Sequence, residues 1–405
     1  MIVWFGSLVR LIKMYLPSKD SARNALSEFI PKAGREYSTG RNYDLGPDAE
    51  STVSKLSPYI RNRLLPEWEV LTLVLKSHSA EDASKFIDEV CWRTYWKGWL
   101  QLRPSIWDDY RESCHRLLEE ISDETAYRAA IEGRTGIDCF DAWANELVET
   151  HYLHNHARMW FASIWIHTLK LPWELGADWF LRHLIDGDPA SNTLSWRWVA
   201  GLQTQGKTYL ARPDNIKKYT NNRFEVTGDL AAEPIELDYP ERPNHRDLPQ
   251  LKKPDTGLRL GHLIKEEDLS AAQWIKPLYK IASSLNYFPA QKYRALNLAS
   301  EIMDFRRKAL EANGAERTAE DLEKIVEWAR AEKLEGIVVA EPTIGHWPEI
   351  IVELSQCLKH EGIEIYKARH WWDETLFPHA THGFFRFKKA IPMAVSRLTQ
   401  INANQ

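Results

Sequence analysis

A cluster of prolines divides this sequence and limits what can fold on either side of it. Five of them lie in one short polar stretch: Pro234, Pro240, Pro243, Pro249 and Pro254. Proline has no backbone N–H and fixes φ, so neither a helix nor a central strand can run through this stretch. We therefore predict a linker over residues 229–270 that joins two folded parts.

The sequence before the prolines has helical periodicity. Proline and glycine are sparse between Ser51 and Phe224. Phe86, Glu89 and Arg93 are spaced at i, i+3 and i+7, so they share one face of a helix. Strand-like alternation is nearly absent from this region. We predict an all-α domain over residues 36–228, preceded by an N-terminal arm over residues 1–35.

The sequence after the prolines changes to strand, helix, strand. Gly336–Ala340 and Gly362–Tyr366 are short apolar runs, and Pro348–Lys359 between them carries apolar residues on one helical face. Such a unit places two parallel strands in one sheet through a right-handed crossover. We predict a small α/β domain with parallel strands over residues 271–405.

Charge and cysteine content limit the partners and the compartment. The chain has 52 Lys and Arg against 57 Asp and Glu, so a nucleic-acid partner requires a local basic patch. Its four cysteines form no CxxC pair, which fits a reducing cytoplasm.

Arg10 and Lys13 interrupt the apolar N-terminal residues, which indicates an amphipathic arm rather than a signal peptide or a membrane span. We expect a cytoplasmic monomer that does not bind membranes.

The most informative segment combines two acids, an amide and two indoles. Asp186, Asp188, Asn192, Trp196 and Trp198 follow one another in this order. Taken singly, the acids are typical of turns and the indoles of a core, but neither explanation accounts for the ordered set. The set resembles the photolyase/cryptochrome family, and the resemblance extends from about residue 37 to residue 224.

The resemblance implies a mainly α, FAD-binding domain of photolyase type. Asn192 is then the residue that faces flavin N5, and Asp186 pairs with Arg158 beside the isoalloxazine. Asp188 receives the flavin imide. The other cofactor-binding residues that the resemblance implies are Tyr37, Ser54, Leu56, Ser57, Phe86, Arg93 and Asn155.

The loop around Ser57 also has a physical basis for binding phosphate. Ser57 followed by Pro58 predicts the N-cap and first residue of a helix, where backbone N–H groups bind anions. Val53 departs from the family pattern, which has a hydroxyl residue at this position.

The resemblance also implies a pocket for a pyrimidine dimer, formed by Glu89, Trp92, Asn155, Met159 and Trp198. A simpler explanation for Glu89 is an i,i+4 surface ion pair with Arg93, which contributes only about 0.3–0.5 kcal/mol. His156 stands where some repair enzymes use an arginine.

Three histidines close together raise the question of a metal. Histidine imidazoles can bind zinc, and three of them lie close together in the sequence, at His151, His154 and His156. No cysteine accompanies them and a helix places them on different faces, so we predict no metal site.

A basic patch follows the indole segment. Residues 196–224 contain six Lys and Arg against the single acid Asp214. Phosphate neutralisation supplies most nonspecific DNA affinity. We predict DNA contacts by Arg197, Lys207, Arg212 and Lys217; the alternative is a solvated basic loop.

Family members pass electrons to the flavin through three tryptophans. The resemblance matches Trp196 to the innermost and Trp173 to the middle one, but Ala130 stands at the third position. An alanine cannot carry the charge, so photoreduction must either use another exit, such as Trp179, Trp143 or a tyrosine, or be slow.

These observations predict a light-dependent, FAD-containing DNA photolyase that repairs cyclobutane pyrimidine dimers. Two alternatives remain: a cryptochrome-like blue-light photoreceptor without repair activity, and a helical scaffold without a cofactor. Most family members carry an α/β antenna domain before the flavin domain, whereas here the α/β part follows it. The 271–405 segment thus resembles a rearranged antenna domain, to which no chromophore is assigned.

Overall fold

The chain folds into two compact units in a computed structural model that describes residues 15–121, 125–204, 207–226, 229–238 and 241–403. The predicted arm lies outside the described residues up to position 14. Unit 1 comprises the described residues of 1–15, 32–54 and 103–244, and unit 2 comprises those of 16–31, 55–102 and 245–405. The predicted helical domain is therefore shared between the units, since residues 55–102 group with the C-terminal part.

The described residues form the following helices and strands. The helices are α1 Lys19–Phe29, α2 Arg35–Gly40, α3 Ser57–Arg61, α4 Glu67–Val74, α5 Ser84–Gln101, α6 Ser105–Ile121, α7 Thr125–Ile131, α8 Asp138–Thr150, α9 Asn155–Ser163, α10 Trp173–His183, α11 Pro189–Val199, α12 Pro213–Tyr219, α13 Ala271–Ile275, α14 Ala290–Ala295, α15 Ser300–Asn313, α16 Leu322–Ala331, α17 Trp347–Lys359, α18 Trp371–Leu376, α19 Phe384–Phe387 and α20 Ile391–Ala403. The strands are β1 Leu260–Lys265, β2 Ile281–Tyr287, β3 Thr318–Ala319, β4 Gly336–Ala340 and β5 Glu364–Ala368.

Every regular element of unit 1 among the described residues is a helix, as the periodicity predicts. Helices α9, α10 and α11 pack together, and α6 lies against α10. Their core is aromatic: Phe140 and Phe161 stack with ring centroids 4.1 Å apart, and Trp165 packs beside both rings. Buried aromatic area of this kind accounts for much of the hydrophobic stabilisation available to a helical unit.

Unit 2 contains a five-stranded parallel sheet in the order β3-β2-β1-β4-β5. The predicted pairing is confirmed, since β4 pairs in parallel with β5 and Val338 lies opposite Tyr366. Strand β1 lies at the centre and falls inside the stretch predicted to be a linker. The last of the prolines, Pro254, precedes this strand. The strand was not predicted because Gly261, His262 and Lys265 interrupt its apolar residues.

The two faces of the sheet bury different sets of side chains. One face packs Leu263, Leu285 and Val339 beneath α16 and α17. The other face packs Leu260, Val338 and Tyr366 against Ala271 and Ile275 of α13. A parallel sheet covered on both faces requires such nearly continuous apolar strands. No helix among the described residues has both the length and the apolar character needed to cross a bilayer.

A buried arginine connects the helical and α/β segments of unit 2. Arg63 donates from Nε to Glu67 at 3.2 Å, from Nη1 to Asp268 at 3.0 Å and from Nη2 to Asp373 at 2.7 Å. Burial disfavours the charge of Arg63, but the three carboxylates outweigh it and hold its pKa well above the ordinary value. The guanidinium also lies over the ring of Trp68.

Replacing this arginine by an apolar residue of similar length should destabilise the protein strongly. We expect Arg63→Met to lower the free energy of unfolding by about 3–5 kcal/mol, because buried carboxylates lose their partner. Urea unfolding followed by circular dichroism measures the change. The matched control is Arg330→Gln, which removes the exposed pair with Glu361 and should leave the unfolding midpoint unchanged. Equal effects of the two variants would contradict a special role for Arg63.

His262 on β1 is fully buried, and within the described residues neither ring nitrogen has a hydrogen-bond partner. Burial lowers the pKa of His262 to about 4. The unfolded chain binds a proton near the ordinary pKa of about 6.5, whereas the folded chain does so only near 4. The contribution of His262 to stability is therefore lost as the pH falls from about 6.5 to about 4.

An apolar residue should replace His262 favourably. We expect His262→Leu to raise the free energy of unfolding at pH 7 by about 1 kcal/mol, since an unpaired buried polar group is removed. The loss of stability between pH 6.5 and 4 should also become smaller, as shown by thermal melts across this range. A destabilised variant with unchanged pH dependence would contradict this account.

Candidate functional site

The start of α11 is built by a side-chain cap. Asp188 has extended backbone angles, and its carboxylate accepts a hydrogen bond from the backbone N–H of Ser191 at 2.7 Å. Pro189 follows at the first helical position, where a missing N–H has no cost. The helix ends before Gly201, whose φ of +82° lies in the left-handed region that glycine adopts readily. The carboxylate of Asp188 is thus held in place by the backbone of α11.

An ion pair between a half-buried arginine and a buried aspartate lies next to this cap. Arg158 on α9 donates from Nη2 to Asp186 Oδ2 at 3.0 Å and from Nε to the carbonyl oxygen of Leu153 at 2.9 Å. Burial disfavours the charge of Arg158, but Asp186 and Tyr152 more than offset it, so its pKa is raised. The structure therefore brings the two predicted partners, Asp186 and Arg158, into direct contact.

Asn192 lies one turn after the cap, and its side chain is oriented by the backbone. Its Nδ2 donates to the carbonyl oxygen of Ala177 at 2.7 Å, which fixes the direction of its amide. Two hydroxyls of the same helix, Ser191 Oγ and Thr193 Oγ1, are buried without a hydrogen-bond partner among the described residues. The start of α11 is therefore rich in buried polar groups.

The indole of Trp196 packs where a glycine makes room for it. A Cβ on Gly176 would lie 2.3 Å from the ring of Trp196, so no larger residue fits at this position without rearrangement. Trp196 meets Trp165 edge to face with centroids 6.1 Å apart. Trp165 in turn meets Tyr127 at 6.0 Å and Trp179 at 6.4 Å.

Trp173 has a different set of neighbours. It stacks on Tyr110 with centroids 5.6 Å apart, and the guanidinium of Arg197 lies 5.7 Å from its ring. Ala130 is fully buried on α7, and Tyr127 lies on the same helix, one turn before it. Sequence patterns missed Trp165, whose only signal is its position within an apolar helical run.

Comparison with known proteins identifies this region. A family model described as the FAD binding domain of DNA photolyase matches residues 86–229. Residues 86–229 of this chain match the photolyase/cryptochrome family. The match confirms the predicted family, the predicted fold class and an FAD-binding domain.

Individual photolyases are similar to this chain over about half of its length. A deoxyribodipyrimidine photo-lyase of Streptomyces griseus is 30% identical over 258 residues, which are 56% of this chain and 56% of the relative. One of Agrobacterium fabrum is 28% identical over 257 residues, or 61% and 52%. The crystal structure of a class III photolyase from Agrobacterium tumefaciens is 26% identical, with a TM-score of 0.45 over 53% of this chain and 45% of that one. The chain spans about half the length of the curated relatives it matches.

The predicted lesion residues of unit 1 are partly accessible. Asn155 begins α9 and is exposed, whereas Met159 and Trp198 are half-buried. Trp198 stacks on Tyr209 with centroids 5.6 Å apart. His156, which departs from the arginine of some photolyases, stacks on Trp160 at 4.1 Å.

Two predicted flavin residues, Tyr37 and Ser54, lie in the N-terminal part of unit 1. Tyr37 is buried on α2, and Ser54 is half-buried in the loop that precedes α3.

The predicted DNA contacts differ in exposure. Lys207 and Arg212 are exposed, and Lys217 is exposed but paired with Glu225 at 2.8 Å. Arg197 is only 8% exposed beside Trp173, and its burial argues against the predicted contact with DNA phosphate. A charge count along the sequence does not register this burial.

The phosphate loop of unit 2 requires a correction. Ser57 is the first residue of α3 rather than its N-cap, and the cap is Leu56, which is buried and offers no side-chain hydrogen bond. The prediction placed the helix one residue too late. Lys55 just before the cap adopts a left-handed φ of +51°.

Helix α5 carries the remaining predicted residues, and all of them lie in unit 2. Phe86 is buried, whereas Glu89, Trp92 and Arg93 are half-buried. One face of the Trp92 indole is covered by Phe384, whose ring stacks on it with centroids 3.8 Å apart and an interplanar angle of 10°.

The three histidines considered for zinc make other contacts. His154 caps α9 by accepting from the N–H of His156 at 3.1 Å, and His151 Nδ1 lies 3.0 Å from the carbonyl oxygen of His183. Burial lowers the pKa of His154 to about 4. No group of three or more metal-binding side chains occurs in the described parts of the chain.

The two roles of Asp188, helix cap and candidate ligand residue, can be separated by mutation. We expect Asp188→Ala to lower the free energy of unfolding of the apoprotein by about 1 kcal/mol, because α11 loses its cap. Asp188→Asn should leave stability nearly unchanged, since asparagine caps helices as well as aspartate does. Urea unfolding of both variants measures this. Equal losses would show that the charge, rather than the cap, stabilises α11.

Proposed function

We propose that this protein binds FAD and, with the flavin reduced, uses blue light to split cyclobutane pyrimidine dimers in DNA. The observation that carries the proposal is the contact between Arg158 and the buried Asp186, beside the carboxylate of Asp188 that caps α11. All three residues lie in the segment matched by the photolyase family model.

The polar groups at the start of α11 suit an isoalloxazine ring. The ring edge carries both an imide N–H and carbonyl oxygens, so it needs acceptors and donors close together. Asp188 supplies a carboxylate acceptor, Arg158 supplies a cationic donor, and Asn192 supplies an amide with its orientation fixed. Because Asp188 and Asn192 are buried and Arg158 is half-buried, hydrogen bonds to these groups are stronger than in water.

When bound, reduced FAD supplies the electron that opens the cyclobutane ring and takes it back afterwards, so the repair has no net redox change. The chain's own residues bind and orient. The hydrogen bond between Arg158 and Asp186 fixes both side chains. The amide of Asn192 is oriented by its hydrogen bond to the carbonyl oxygen of Ala177. The packed indoles of Trp196 and Trp165 exclude water from the interior of unit 1.

The same ring contacts support a route for reducing the flavin. A continuous series of neighbouring aromatic rings runs from Trp196 to Trp165 and from there to either Tyr127 or Trp179. This series includes Trp179 and a tyrosine, two of the exits that the sequence suggests in place of Ala130. We include Trp165 as its second member.

A cryptochrome-like photoreceptor is the second candidate. The stacking of Phe384 on Trp92 favours it, because this contact covers one face of a residue expected to pack on the lesion. A photoreceptor would bind FAD through the same residues of unit 1 without repairing DNA.

A repair assay distinguishes the two functions. Photoreduced protein with bound flavin is mixed with a dimer-containing oligothymidine and illuminated with blue light, and the absorbance of restored thymines is followed. We expect recovery in light and none in the dark. Bound FAD without recovery would favour the photoreceptor, and purified protein without a flavin spectrum would contradict both functions.

A matched pair of variants tests the role of the ion pair. We expect Asp186→Asn to weaken FAD binding at least about tenfold, because a charge-assisted hydrogen bond to Arg158 is lost. Asp178→Asn is the control, since Asp178 forms a comparable ion pair with Arg182 in the same unit. Titration with FAD measures both affinities, and equal losses would show a general effect on folding.

A further inference from the structure

The C-terminal segment Gly383–Lys389, with the sequence GFFRFKK, places one aromatic ring in solvent. Its helix α19 buries Phe384 and Phe387, whereas Phe385 between them is 83% exposed. Exposing a large apolar side chain costs about 1.5–3 kcal/mol relative to burying it. Such a ring, held in solvent by buried neighbours on both sides, is suited to contact with a partner.

This segment is held firmly on α5. Phe384 stacks on Trp92, and the hydroxyl of Tyr95 donates to the carbonyl oxygen of His382 at 2.7 Å. Lys388 donates to Asp88 at 2.6 Å. The position of Phe385 is therefore set by contacts on both sides of it, and a partner would bind it without first ordering a loop.

The C-terminal sequence around Phe385 is basic. Residues 377–405 contain four Lys and Arg and no Asp or Glu, in a chain whose net charge is −5. Arg386 and Lys389 are exposed, and in the described part of the chain neither forms a salt bridge. An exposed aromatic ring followed by two exposed cations matches a partner that offers flat rings and negative charges together.

We propose that Gly383–Lys389 is a binding element for single-stranded DNA, in which Phe385 stacks on an unpaired base and Arg386 and Lys389 contact phosphates. Stacking on aromatic side chains and phosphate neutralisation are the two general means of binding single strands. An anionic membrane fits less well, because α19 is a single turn with one exposed aromatic ring rather than an extended apolar face. The proposal rests on the proposed function only in taking DNA as the partner.

The experiment measures binding in the dark to an undamaged, fluorescein-labelled oligothymidine by fluorescence anisotropy. We expect Phe385→Ala and Phe385→Leu to weaken binding about tenfold, and Phe385→Tyr to bind like the parent protein, because stacking needs a ring. Arg386→Gln should lower the dependence of log K on log salt by about 0.7.

Matched controls are available in the same unit. Leu278→Ala removes another exposed apolar side chain and Lys359→Gln another exposed cation, and neither should change affinity. Parent-like binding by Phe385→Ala would overturn the proposal. A loss confined to binding of phosphatidylserine–phosphatidylcholine vesicles would overturn it in favour of a membrane surface.

This outcome is independent of repair. The assay needs neither light nor a lesion, so a protein that fails to restore thymines but loses oligothymidine binding in Phe385→Ala still supports the element. A protein that repairs dimers while Phe385→Ala binds DNA normally overturns the element alone.

Discussion

The charge of Arg63 is the constraint on which unit 2 depends. A buried guanidinium is stable only if its donors meet acceptors, and here the acceptors come from α4, from the loop after β1 and from α18. Because desolvation of the four groups is costly, an incomplete set would be strongly unfavourable. The arginine therefore requires the helical segment and the sheet to fold as one body, and α5 with Trp92 belongs to that body.

Unit 1 also depends on charged groups that need partners, although fewer of them are involved. Asp186 and Asp188 are two residues apart, yet one pairs with Arg158 and the other caps α11. These two anchors set the start of the helix, and the packing of Trp196 against Gly176 sets its rotation. The position of the Asn192 amide follows from both. One short helix thereby places Asp188 and Asn192 of the proposed flavin-binding group.

Local patterns were the predictable part of this structure. No other sequence pattern contradicts the helical periodicity of α5 or the apolar runs of β4 and β5. Their secondary structure could therefore be predicted from the sequence. Strand β1 was missed because His262 and Lys265 break its apolar run beside a proline-rich stretch. The burial of Arg197 was not foreseen, because a charge count does not include burial. The contribution of Trp165 emerges only from ring contacts between helices, which no spacing along the chain reveals.

The sequence by itself determined the helical and strand segments and the ordered series of acids, amide and indoles, because these depend on residues a few positions apart. The tertiary structure alone decided that residues 55–102 fold with the α/β segment and that Phe384 covers Trp92. The contacts responsible, such as Tyr95 with His382 and Arg63 with Asp373, join residues 287 and 310 positions apart. Pairing over such distances depends on the complementary shape and charge of packed surfaces, and local periodicity carries no information about it.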